Sequence, residues 1–122
     1  MARILIADDD DHILLFVSTC LESDNHEVIT ARNGLEALDM ALDKNPDLII
    51  MDMDMPELNG WLAVQAVRSI PSIEELPIIG LSAHTTSADR DEAHLAGCQI
   101  YLNKPFDVDL LLKTVRHFST AA

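Results

Sequence analysis

At 122 residues the chain has the usual length of one domain, 1–122, and 48% apolar content excludes a disordered chain. Its 21 acidic against 8 basic residues leave a net charge of −13, which argues against nucleic acid or an anionic membrane as a direct partner and permits a cation ligand. No apolar stretch approaches the roughly 20 residues that span a bilayer, and Arg3-Ile4-Leu5-Ile6-Ala7 breaks off into aspartates rather than extending as a signal peptide. A cytoplasmic location is expected. Two cysteines, Cys20 and Cys98, make neither a disulfide framework nor a zinc site, and read as reduced thiols.

Residues 3–7 read as a short apolar strand. From His12 to about Ser23, apolar residues at 13, 16, 17, 20 and 21 recur at helical spacing. Val28-Ile29-Thr30-Ala31 is a second strand, and Asn33-Gly34 turns into a helix over 35–44 with Leu35, Leu38 and Leu42 on one face. Asn45-Pro46 ends that helix, since the residue before proline disfavours helical backbone. A third strand covers 47–52. Asn59-Gly60 precedes a helix over 61–70 with Leu62, Val64, Ala66 and Val67 available to pack, closed by Pro71. Pro77 opens a fourth strand to Ser82. Thr86 or Ser87 caps a helix to about Ala96, with Gly97 as its stop. A fifth strand covers 99–103, and Asp107 caps a last helix through Leu110, Leu111, Val115 and Phe118.

Strand and helix thus alternate five times, without linker or repeat. Such alternation implies a doubly wound α/β fold, a parallel sheet with helices on both faces. Ligands in open sheets of this kind bind beyond the carboxyl ends of the strands. Asp8-Asp9, Asp52, Ser82 and Lys104 all lie at or just beyond such ends. Three converging carboxylates repel one another unless a cation intervenes, and a hard divalent ion such as Mg²⁺ (or Mn²⁺) suits oxygen ligands. A lysine and a hydroxyl beside them complete the parts that hold a phosphoryl group, which leaves Asp52 as a nucleophile able to form an acyl phosphate.

Five motifs in order carry a resemblance that spans essentially the whole chain. They are Ile4-Leu5-Ile6-Ala7-Asp8-Asp9-Asp10, Pro46-Asp47-Leu48-Ile49-Ile50-Met51-Asp52-Met53-Asp54-Met55-Pro56, Asn59-Gly60, Pro77-Ile78-Ile79-Gly80-Leu81-Ser82-Ala83 and Tyr101-Leu102-Asn103-Lys104-Pro105-Phe106. The sequence closely resembles the receiver domain of response regulators. That resemblance implies a flavodoxin-like five-stranded sheet with five helices. It makes Asp52 the acceptor of a phosphoryl group from a histidine kinase or histidine phosphotransfer protein, signalling onward to a downstream protein. Asp8 or Asp9, Asp52 and the backbone carbonyl of Asp54 would hold the metal. Ser82 and Tyr101 look like the switch pair, and the Lys104-Pro105 bond would be cis, placing the ammonium in the pocket. Asp54 and His84 depart from the commonest pattern and flank the expected path of the hydrolytic water, where they would tune the phosphoryl lifetime.

Plainer roles are expected elsewhere. Asp10 and Asp11 read as a solvated, helix-starting cluster. The five histidines lack metal-ligand spacing, Trp61 reads as helix packing, and Gly80 suggests close helix approach. Two other functions fit parts of the pattern. Asp52-Met53-Asp54 also resembles the Asp-x-Asp of haloacid-dehalogenase-type aspartyl phosphatases, although there the metal-binding acids follow the motif and here an acidic pair precedes it. A receiver-like binding module independent of phosphate should have lost an acid, the hydroxyl or the lysine, and none is lost. Gly97-Cys98-Gln99-Ile100 before Tyr101, in place of the acidic dipeptide frequent in DNA-binding regulators, leans toward a stand-alone protein or a hybrid-kinase receiver.

Overall fold

A computed structural model describes residues 2–53, 60–82, 97–98, 100–103 and 107–119. Five parallel strands, β1 (Arg3–Ala7), β2 (Glu27–Ala31), β3 (Leu48–Asp52), β4 (Ile78–Ser82) and β5 (Ile100–Asn103), form one sheet in the order β2-β1-β3-β4-β5. The described helices are α1 (Asp11–Ser23), α2 (Gly34–Lys44), α3 (Gly60–Ser69) and α4 (Val108–Ser119). The helix expected between Thr86 and Ala96 lies outside the described residues, so four of the five expected helices can be placed.

Parallel neighbours need crossover connections, and the described helices that follow β1, β2 and β3 pack back on the sheet. Every residue of β3 and β4 is buried, which is why those runs are apolar without alternation. Edge strand β2 buries only Ala31. Two apolar layers flank the sheet. On one face Ile4, Ile6, Leu48, Ile50, Ile79 and Leu81 meet Leu14, Val17 and Leu21 of α1 and Leu111 and Val115 of α4. On the other, Leu5, Ala7, Ile49, Met51 and Ile78 meet Ala37 and Ala41 of α2 and Ala63, Val64 and Val67 of α3.

Local signals fix the helix ends. The Asp10 carboxylate caps α1 by accepting the His12 and Ile13 amides at 2.9 and 3.4 Å. Asn33 caps α2 through the Glu36 amide at 2.8 Å, and Asp107 caps α4 through Asp109 and Leu110. Asn45 closes α2 in the left-handed region at φ 49°.

One expectation about packing is corrected. Of the expected α2 stripe Leu38 packs against the core, but Leu35 and Leu42 are exposed, as are Leu62 of α3 and Phe16 of α1. The face of α2 against the sheet is Gly34, Ala37 and Ala41, small residues that let the helix approach closely. Among the described residues the close neighbours of Gly80 are not helical: a Cβ there would stand 3.2 Å from Cys98 Sγ and 3.3 Å from Met53 Sδ, so those two side chains would have to give way. The helix expected over 86–96 lies outside the described residues.

Candidate phosphoryl-acceptor site

Register places the site residues in rows. Ala7 pairs with Met51, Met51 with Gly80 and Gly80 with Tyr101. One residue further along, Asp8 and Asp52 therefore stand side by side on adjacent strands. Asp8 is 1% exposed and Asp52 2%, burial that a carboxylate tolerates only with compensating partners. Asp8 accepts the Asp10 amide at 2.9 Å, and its own amide donates to the Ala31 carbonyl at 3.0 Å, which pins the turn out of β1. Asp9 is exposed and completes the cluster: the carboxylate oxygens of Asp8, Asp9 and Asp52 lie within 4.8 Å of one another.

Ser82 ends β4 with no exposed surface. Alternation along a strand puts it on the same face as Gly80, and Tyr101 pairs with Gly80, so the hydroxyl and the ring share one side of the sheet. The Tyr101 ring is buried, within the cluster that holds Met51, Met53 and Cys98. Met53 continues past β3, its amide donating to the Leu81 carbonyl at 2.9 Å. The structure thus brings Asp8, Asp9, Asp52, Ser82 and Tyr101 to one edge or its underlying face. Asp54, His84, Lys104 and Pro105 lie outside the described residues.

The acid cluster fits a divalent cation. An ion with bonds of about 2.0–2.1 Å holds opposite ligands roughly 4.2 Å apart. A cluster within 4.8 Å closes on it with small side-chain adjustments or one bridging water. All three donors are hard oxygens, matching Mg²⁺ better than a softer metal.

Sequence reasoning missed two arginines. Arg32 follows β2 directly and pairs with Asp11. Arg68 of α3 donates to the carbonyls of Gly97 (2.7 and 3.1 Å), Glu74 (2.8 Å) and Leu76 (2.7 Å), tying the loop before β4 to the approach to β5. Backbone carbonyls as partners leave no side-chain signal in a sequence.

Order β2-β1-β3-β4-β5 with an acid cluster at the carboxyl edge defines the doubly wound, flavodoxin-like class. Within it, the sequence profile of the response regulator receiver domain matches residues 4–116, and the chain belongs to that family. It is 30% identical over 115 residues to the polar-differentiation response regulator DivK of Brucella anthropi, covering 94% of each chain. The chemotaxis response regulator CheY4 of Vibrio cholerae superposes with a TM-score of 0.91 at 36% identity, over 97% of this chain and 98% of that one. A third relative is the receiver domain of the sensor histidine kinase PA1611 from Pseudomonas aeruginosa, with a magnesium ion coordinated in its active-site cleft. It superposes with a TM-score of 0.90 at 28% identity over 98% of both chains. The protein is a phosphorelay receiver of two-component signal transduction, a family that is not a classical enzyme class. Neither the dehalogenase-type phosphatase nor the phosphate-independent module gains support. Among the described residues no helix is long and apolar enough to cross a membrane.

Proposed function

We propose that Asp52 accepts a phosphoryl group from the phosphohistidine of a histidine kinase or histidine phosphotransfer protein. An oxygen of the carboxylate attacks phosphorus, the P–N bond breaks and the imidazole leaves, giving an acyl phosphate on Asp52. The observation that carries this reading is the meeting of Asp8, Asp9 and Asp52 beyond adjacent strands, with buried Ser82 closing the next strand. Asp8, Asp9, Asp52 and the Asp54 carbonyl would hold Mg²⁺ (or Mn²⁺), which when bound neutralises phosphoryl oxygens. Ser82 donates its hydroxyl to the phosphoryl group, and Lys104 supplies a fixed positive charge, which a cis Lys104-Pro105 bond would bring toward the site. The shared face of Ser82 and Tyr101 favours a switch in which the ring follows the hydroxyl and reshapes a surface read by a downstream protein. The chain would act in the cytoplasm, without direct nucleic-acid or membrane contact, and catalyse only its own phosphorylation and dephosphorylation.

Incubation with acetyl phosphate and Mg²⁺, read by intact-protein mass spectrometry, tests the assignment. One phosphoryl group per chain is expected, and Asp52→Asn should abolish it. Persistent labelling of that variant would sink the assignment. Asp54 and His84 are proposed to set how long the group stays. Asp54→Asn and His84→Ala should each change the autodephosphorylation rate by about tenfold or less, and two unchanged rates would remove both from that role.

A further inference from the structure

The described cations are unevenly placed. Arg3 binds Glu27 and the Lys44 carbonyl, Arg68 binds the loop before β4, and Arg116 binds Asp24, all at the amino edge of the sheet. Lys113 lies midway along α4. Among the described arginines and lysines Arg32 alone stands at the carboxyl edge, with the acid cluster; His12 in the first turn of α1 adds a charge there only when protonated. It follows Ala31, whose partner in the ladder is Ala7, so Arg32 is next in the row that holds Asp8 and Asp52. Its backbone amide meets the Glu36 carboxylate at 3.4 Å, fixing where the side chain starts.

Its guanidinium pairs with Asp11 in the first turn of α1, and the two side chains are 62% and 66% exposed. Exposed pairs of this kind are weak and open readily. A guanidinium presents a planar fork that takes phosphoryl oxygens two at a time. Any phosphoryl donor is an anion approaching a chain of net charge −13 at its most acidic edge. A cation at that mouth lowers the barrier to encounter.

We propose that Arg32 captures the anionic phosphoryl donor at the mouth of the site, exchanging Asp11 for phosphoryl oxygens. Asp11 is its resting partner and competitor. The inference rests on the reading of Asp52 as acceptor, and it makes Arg32 a positioning residue that sets donor encounter. The simpler alternative is a clamp that merely ties the loop after β2 to α1. The two differ in sign. A clamp is broken equally by loss of either partner, whereas a capturing arginine is disabled by losing its own charge and released by losing its competitor.

The test measures the second-order rate of Asp52 labelling by acetyl phosphate at saturating Mg²⁺, across a range of NaCl concentrations. Arg32→Gln should slow labelling by about three- to tenfold at low salt and flatten its salt dependence, while Asp11→Asn should accelerate it. A second readout needs neither metal nor phosphoryl transfer. The Arg32 Nε–Hε resonance should shift on titration with inorganic phosphate, at lower phosphate in Asp11→Asn, while that of Arg116 stays still. Equal rates in all three proteins, or equal slowing in both variants, overturns the capture role and leaves Asp52 as acceptor. Wild-type protein that takes no label at Asp52 overturns the acceptor reading itself, and the phosphate titration then judges Arg32 alone.

Discussion

The two edges of the sheet handle charge in opposite ways. At the amino edge opposite charges are interleaved, Arg3 with Glu27 at 2.9 Å and Arg116 with Asp24 at 2.7 Å, and the Asp47 carboxylate accepts the Arg3 amide at 2.8 Å. At the carboxyl edge like charges are crowded, with three carboxylates within 4.8 Å, two of them buried. The amino edge is arranged to be closed on itself. The carboxyl edge is arranged for something that arrives, because crowded acids are relieved by a cation. Both arrangements sit on one rigid sheet, so stability and chemistry are assigned to different ends of the same strands.

Mg²⁺ should expose that division most strongly. At a concentration a hundredfold above its dissociation constant the ion should raise the unfolding free energy by about 2.7 kcal/mol, read by urea titration. Asp8→Asn should lose most of the gain. A gain of equal size in that variant would mean the ion binds elsewhere on the acidic surface.

At the amino edge, Arg68→Ala should destabilise by about 2 kcal/mol, since it strips donors from the Gly97, Glu74 and Leu76 carbonyls. Its response to Mg²⁺ should be unchanged. Gly97→Ala should cost about 1–2 kcal/mol, because Gly97 sits at φ +118° and a Cβ there would lie 2.8 Å from Arg68 Cγ. In the double variant the steric part should vanish and the backbone part remain, a non-additivity that a thermodynamic cycle reads directly. Strict additivity would separate the two residues.

The smallest effect concerns Asp24, whose carboxyl is held below its ordinary pKa chiefly by its hydrogen bond from Arg116. Asp titrates near 3.9 when unfolded. The native group, with its depressed value, therefore contributes stability above about pH 4 that is lost as pH falls through the lower native value. Arg116→Gln should flatten melting temperature against pH below pH 4 and change little at pH 7. An unaltered acid limb would show that the pair is decorative.

Much of the fold was legible because strand burial leaves a plain mark. Leu48-Ile49-Ile50-Met51 is apolar throughout since β3 is covered on both faces. The turn from such a strand into polar residues marks its carboxyl end. This is why Asp8, Asp9, Asp52 and Ser82 could be read as neighbours before any topology was known. Helix faces were less legible. Hydrophobicity favours the leucines of α2, but a helix lying close on a sheet selects small residues, and Ala37 and Ala41 win the inner face. Leu35 is left at 52% exposure. The closeness of Met53 and Cys98 to Gly80 was hidden as well, because both come from distant parts of the chain.

Cys98 carries a further consequence. Burial pushes its thiol up to about 11, partly offset by nearby Arg68, and only 4% of the residue is exposed. At neutral pH it is therefore a protonated, shielded sulfur packed against Gly80. Only a thiolate that has reached solvent reacts with an alkylating reagent. The rate at which a thiol reagent captures Cys98 therefore reports how readily the approach to β5, the strand that carries Tyr101, is exposed to solvent.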